Sequence, residues 1–140
     1  MVSYSESISD LSERHLRGGF FEGWAAPPDA AQHLRLLQNS THVVVARDDT
    51  GAVIGFVNAL ADGVLSAYVP LLEVLPTHRA KGVGTELVRR LLDSLAGLYM
   101  VDVMCDPGIL PFYERLGFVA ASGAIRRNYD WRNHHIDVTP

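Results

Sequence analysis

The chain has a single cysteine, Cys105, so no disulfide can form within it, and one thiol alone cannot build a metal site. Its six histidines show no metal-ligand spacing, so no metal is expected. It also lacks any surplus of positive charge. Twelve Lys and Arg against sixteen Asp and Glu leave a net charge of −4, which argues against a nucleic-acid partner. No apolar run approaches the roughly 20 residues that cross a bilayer, so no membrane association is expected. The opening residues, Met1-Val2-Ser3-Tyr4-Ser5-Glu6, have neither the basic nor the apolar region of a signal peptide, and a cytoplasmic location is the expectation. Internal repeats and low-complexity stretches are absent too.

What is present is ordinary for a globular protein: 140 residues, 48% hydrophobic and 20% charged. We read residues 1–130 as one domain and 131–140 as a polar tail. A short strand is expected at 4–8. Asp10 then suits a helix N-cap, with Glu13 at the capping-box position. Asp29 suits the cap of a second helix that carries Leu34, Leu36 and Leu37. A hairpin follows, with strands at 42–47 and 52–60 around the turn Asp48-Asp49-Thr50-Gly51. A long strand at 64–75 contains Pro70, which has no N–H to donate and marks a bulge or a bend. Leu87, Val88, Leu91, Leu92 and Leu95 recur at helical spacing. Beyond them come a strand at 98–104, a short helix at 108–116 and a last hairpin at 118–121 and 124–129. Strands alternating with helices in the second half imply a parallel pair within a mixed sheet.

The most informative segment is Arg79-Ala80-Lys81-Gly82-Val83-Gly84-Thr85, between an apolar strand and an amphipathic helix. A glycine turn in that place aims unpaired N–H groups and a helix dipole at one point, where a phosphate is the usual occupant. A P-loop would need Lys after the last glycine, followed by Ser or Thr, whereas Lys81 precedes Gly82. A dinucleotide fingerprint would need a third glycine. The remaining pattern is Arg-x-x-Gly-x-Gly, filled by Arg79, Gly82 and Gly84.

With that pattern, the chain resembles the GNAT superfamily of N-acetyltransferases. Residues 72–84 resemble its central strand and pyrophosphate turn. Pro111-Phe112-Tyr113-Glu114-Arg115-Leu116-Gly117-Phe118 resembles its second hallmark, and the hairpin at 42–60 has the expected place. The resemblance covers residues 42–129. It implies an α/β (α+β) fold with a central mixed, mostly antiparallel sheet of about six or seven strands flanked by about four helices. It further implies acetyl transfer from acetyl-CoA to the amine of a small molecule or peptide by direct attack, and a homodimer through the last strands. A cofactor-binding sensor without turnover, or a transferase of another acyl group, is the alternative.

The resemblance assigns coenzyme A to Arg79, Ala80, Lys81, Gly82, Val83, Gly84 and Thr85 for the diphosphate, and to the strand near Glu73, Val74 and Leu75 for the pantetheine arm. Arg89 or Arg90 either reaches the ribose phosphate or is solvated. Asp106 stands where the family often has Asn, and serves the arm or caps a turn. Tyr113 is implied to protonate the departing thiolate, against a packing role beside Phe112 and Phe118. The acceptor must lose a proton, and Glu73 is the first candidate base, ahead of Asp62 and His78. Its other reading is an exposed or ion-paired carboxylate, and a bulge would decide its direction. Cys105 reads as core. Phe21, Trp24 and Tyr68 are candidate acceptor contacts, with Glu22 attracting a cationic amine; the aromatics read equally as anchors of a helix to the sheet.

Overall fold

The computed structural model describes residues 1–131; the tail expected at 131–140 lies, beyond Trp131, outside the described residues. The elements are β1 (Ser3–Ser5), a 3-10 turn (Glu13–Leu16), α1 (Ala30–Gln38), β2 (His42–Arg47), β3 (Val53–Ala61), β4 (Ser66–Val69), β5 (Leu72–Val74), a second 3-10 turn (Pro76–His78), α2 (Val83–Ser94), β6 (Met100–Val103) and α3 (Leu110–Glu114). They form a mixed α/β fold on a six-stranded, mostly antiparallel sheet in the order β1-β2-β3-β4-β6, with β5 also on β3. Among the described residues only the β4–β6 pair is parallel.

Alternation along the strands feeds two cores. Val44 and Ala46 face α2, together with Ile54, Val57 and Ala59, whereas Val43, Val45, Val53 and Phe56 face α1. α2 offers Val83, Leu87, Val88 and Leu91 to its side of the sheet. It sits close because β3 has a glycine beneath it. A Cβ on Gly55 would lie 3.1 Å from Leu87 Cδ1 and 3.2 Å from the Glu73 carbonyl oxygen. α1 begins at Asp29, which accepts from the Gln32 N–H at 2.8 Å while Gln32 Oε1 accepts from the Asp29 N–H at 3.0 Å. On that side His33, 1% exposed, lies among Phe20, Phe21 and Phe56, with its ring centroid 4.5 to 5.1 Å from theirs.

The long strand expected at 64–75 is broken. Leu60 of β3 faces Tyr68 of β4, and Val57 faces Leu72 of β5. Asn58 and Ala59 therefore oppose Val69, Pro70 and Leu71, which is a bulge of one residue at the proline. Asn58, 3% exposed, clamps it. Its Oδ1 accepts from the Leu71 N–H at 3.1 Å, its own N–H donates to the Leu71 carbonyl at 3.2 Å, and its Nδ2 donates to Ser40 Oγ at 2.9 Å. The extra residue resets the alternation. Ala67 and Val69 face α2 before it, Leu72 and Val74 face α2 after it, and Leu71 turns to the α1 side.

Several expectations are corrected. The first helix is a 3-10 turn capped by Ser12, whose N–H donates to His15 Nδ1 at 3.0 Å. Asp10 instead pairs with Arg47 at 2.8 Å, a choice that tertiary contact makes between two cap-type residues. β1 is shorter than the strand expected at 4–8, and α3 is shorter than the helix at 108–116. Among the described residues 118–129 form no strand. The helices number three among the described residues rather than about four.

Asn58→Leu keeps the branched shape but strands the Leu71 N–H. It should lower stability by about 1–3 kcal/mol, measured by urea denaturation, and an unchanged midpoint would show that the bulge stands without its clamp. His33 gives a second test. Burial holds its imidazole down to about 4 from an ordinary 6.5. Between those values the unfolded chain binds a proton that the folded chain does not, so stability falls as pH drops through this window and levels off below it. The loss is on the order of 3 kcal/mol. His33→Leu should remove that component, and an unaltered difference in stability between pH 7 and pH 4.5 would contradict it.

Candidate active site

The turn after β5 has the features its sequence suggested. Ala80 and Gly82 both adopt left-handed backbone, at φ 60° and 82°. For an alanine this conformation costs about 1 kcal/mol or more, and strain of this kind collects at binding sites. Gly82 is the N-cap of α2, and no side chain caps the helix. The first intrahelical bond runs from the Glu86 N–H to the Gly82 carbonyl. The N–H groups of residues 80–85 thus have no protein acceptor among the described residues. Arg79 Nε donates to the Val74 carbonyl at 2.9 Å, which ties the turn to β5, and Lys81 is exposed beside it. Arg89 and Arg90 both pair with Glu86, at 3.3 and 2.8 Å, and Arg90 also lies over the Tyr4 ring.

A cleft of about 800 Å³ starts at this turn and runs between β5 and the end of β6. It exists because β6 pairs with β4 only through Val69 and Val103; beyond the bulge β5 keeps to β3 and β6 diverges. Leu71 and Leu75 bond inward to β3, the latter through its N–H to the Ile54 carbonyl at 2.8 Å. By antiparallel alternation Leu72 and Val74 present their backbone groups to the cleft. This corrects the assignment of Leu75, which is buried and has its donor engaged. Val74 and Leu72 take its place.

Glu73 is held from the α1 side. Its Oε1 accepts from the Phe21 N–H at 2.9 Å, while Oε2 is buried with no partner among the described residues. Burial raises its pKa, partly offset by the Phe21 hydrogen bond and by Arg79. Tyr113 lines the cleft from α3, and burial pushes its phenol up to about 12, with Cys105 and Tyr68 adding to the rise. Its ring packs edge-on to Phe112 and Phe118, so the packing reading holds alongside any chemical one. Asp106 lines the cleft and begins the turn into α3 through its carbonyl, which accepts from the Ile109 N–H at 2.9 Å. Cys105, read as core, is half-buried and lines the cleft as well.

The other candidates separate. Asp62 accepts three backbone N–H groups, from Val64, Leu65 and Ser66, which hold its carboxyl at about 2; it is a turn residue and no base. His78 bonds Thr77 outside the cleft. Phe21 is buried in the aromatic cluster, so its side chain is not a wall of the site; its contribution is the N–H to Glu73, offered from a left-handed backbone at φ 64°. Trp24 and Glu22 do line the cleft. Tyr68 does not: it lies on the part of β4 still paired with β6 and faces a second cavity. Sequence reasoning missed Asn58 and the Phe21 N–H. A lone Asn within the apolar run 53–61 was the available signal for the first; nothing local marks the second.

A strained turn with free N–H groups, continuous with a cleft between diverging strands, is the arrangement that the sequence resemblance implied. The chain belongs to the acetyltransferase (GNAT) family, whose profile matches residues 9–118. A provisionally assigned acetyltransferase from Deinococcus radiodurans R1 superposes with a TM-score of 0.89 at 46% identity, over 92% of this chain and 90% of that one. Serotonin N-acetyltransferase 2, chloroplastic, of rice is 29% identical over 125 residues, 85% of this chain. The chain spans 60% of that relative's length. AAC(6')-Iy, in complex with a bisubstrate analogue, CoA-S-monomethyl-acetylneamine, shares the fold at a TM-score of 0.66 and 21% identity, over 91% of this chain and 97% of that one.

Proposed function

We propose that this protein transfers an acetyl group from acetyl-CoA to a primary amine by direct attack. The observation that carries this reading is the continuity of one cleft from the free N–H groups at 80–85, past Glu73, to Tyr113. The fit to coenzyme A rests on the same features. Six successive N–H donors without an acceptor among the described residues suit a diphosphate, with Arg79 and Lys81 adding charge. The edge groups of Leu72 and Val74 suit an extended amide-bearing arm, which would join the sheet as a further strand. Asp106, when ionised, can accept an amide N–H from it. Acetyl-CoA supplies the activated acyl thioester.

The chain's own residues do the rest. An alkylamine is charged at neutral pH, and freeing its lone pair costs about 4–5 kcal/mol. Glu73, which lines the cleft and whose Oε2 has no partner among the described residues, takes that proton. Its raised pKa makes it a better base than an exposed glutamate. Tyr113 keeps its proton at any physiological pH and offers it to the departing sulfur. A phenol at about 12 is a weak acid for an ordinary thiol near 8.5. Its O–H therefore serves first as a hydrogen-bond donor to the charge that builds on sulfur as the C–S bond breaks, the proton following as the thiolate leaves.

The test is thiol release from acetyl-CoA across an amine panel, with cofactor binding followed by calorimetry. Tyr113→Phe should lower kcat at least tenfold with cofactor affinity within twofold. Glu73→Gln should lower kcat by roughly 10²-fold or more. In the wild type the acid limb of kcat should lie above the ordinary glutamate range, because Glu73 must be ionised and burial raises its pKa. Tight cofactor binding with no thiol release from any amine would make the protein a sensor instead.

A further inference from the structure

The cleft has a second end, at the bulge, away from the phosphate turn. The Phe21 N–H to Glu73 bond at 2.9 Å pins the loop before α1 over this end. The next residues along the chain, Glu22 and Trp24, therefore reach the cleft wall. Trp24 is 50% exposed, and its ring meets that of Phe21 at a 60° tilt with centroids 5.1 Å apart, which anchors the indole to the buried cluster. Glu22 is exposed and has no ion pair among the described residues. Across the cleft stand Met104, 43% exposed, and Ile125, 59% exposed. Large apolar side chains left open around one cavity mark a binding surface rather than chance exposure.

We propose that the acceptor is an apolar monoamine: one primary ammonium on a hydrophobic, ring-bearing or alkyl body, met by Glu22 and by the face of Trp24. This rests on the acetyltransferase reading above. At this end of the cleft exposed Glu22 stands near one indole, which suits a single cation held by charge and by the ring's quadrupole before Glu73 takes its proton. The body of the amine then covers Trp24, Met104 and Ile125. A polyamine would bring further ammonium groups toward Arg127, which lines the far wall and whose polar contact is the Arg126 carbonyl at 3.4 Å. An amino sugar would bury hydroxyls against apolar walls with no partners for them. Both are disfavoured by the same lining that accepts the apolar body.

The experiment compares kcat/KM for 2-phenylethylamine, hexylamine, spermidine and glucosamine at saturating acetyl-CoA. The first two should exceed the last two by at least tenfold. Trp24→Ala should raise KM for 2-phenylethylamine roughly tenfold, and Trp24→Phe should recover most of it. Glu22→Gln should raise the same KM several-fold. In each variant KM for acetyl-CoA should stay within twofold. A preference for spermidine or glucosamine, or an amine KM untouched by both substitutions, overturns the proposal and leaves acetyl transfer standing. No thiol release with any amine overturns both.

Discussion

Everything at this site depends on Asn58 holding a strand that has one residue too many. At Pro70 the strand cannot keep both its pairing with β3 and its pairing with β6, because the proline offers no N–H and the extra residue shifts the register. An interrupted ladder leaves backbone groups unpaired, and a buried unpaired group costs free energy. Asn58 meets Leu71 on both its N–H and its carbonyl, so the inward groups are satisfied without continuous pairing. Of the outward groups, those of Leu72 and the Val74 N–H stay open, while the Val74 carbonyl accepts from Arg79 Nε. A cleft lined by a free strand edge is thus what remains when a sheet loses one pairing and keeps the rest.

The bulge also decides which way Glu73 points. Without it, Glu73 would share a face with Val69 and look toward α2; with it, Glu73 shares a face with Leu71 and meets the Phe21 N–H on the α1 side. Phe21 accepts a left-handed backbone to be there. Its ring, buried between Phe56, His33 and Trp24, fixes it in place. Strain at one residue is offset by burial of the same residue. On the opposite face Gly55 lets α2 approach β3, which sets the free N–H groups of its first turn beside the end of β5 at Val74.

The turn at 79–85, α2 and the hairpin were legible because each is written locally, in glycines, a 3.6-residue stripe and a turn between β-branched runs. Tyr113 was legible from its own motif. What was not legible is non-local. Pro70 announces a disturbance, but its register depends on where β3 stands, so the direction of Glu73 could not be read from alternation. Leu75 looked like an equal of Val74 until pairing with Ile54 engaged its N–H. Tyr68 and Phe21 were aromatic and near in sequence to the site, yet one lies on the paired side of the bulge and the other inside the core. The apolar alternation at 118–129 reads as a hairpin, whereas among the described residues that stretch makes no ladder.

Glu73 and Tyr113 line the cleft from different elements, β5 and α3, and burial moves both pKa values upward. For the carboxylate this strengthens a base; for the phenol it secures a proton. On the proposed reaction these are complementary needs, since the amine must lose a proton on one side of the acyl carbon and the sulfur must gain one on the other. Burial alone supplies both changes, so no further charge beside either group is required. The divergence of β5 from β6 keeps the two apart: were the strands paired through this stretch, there would be no space between the walls in which the roles could divide.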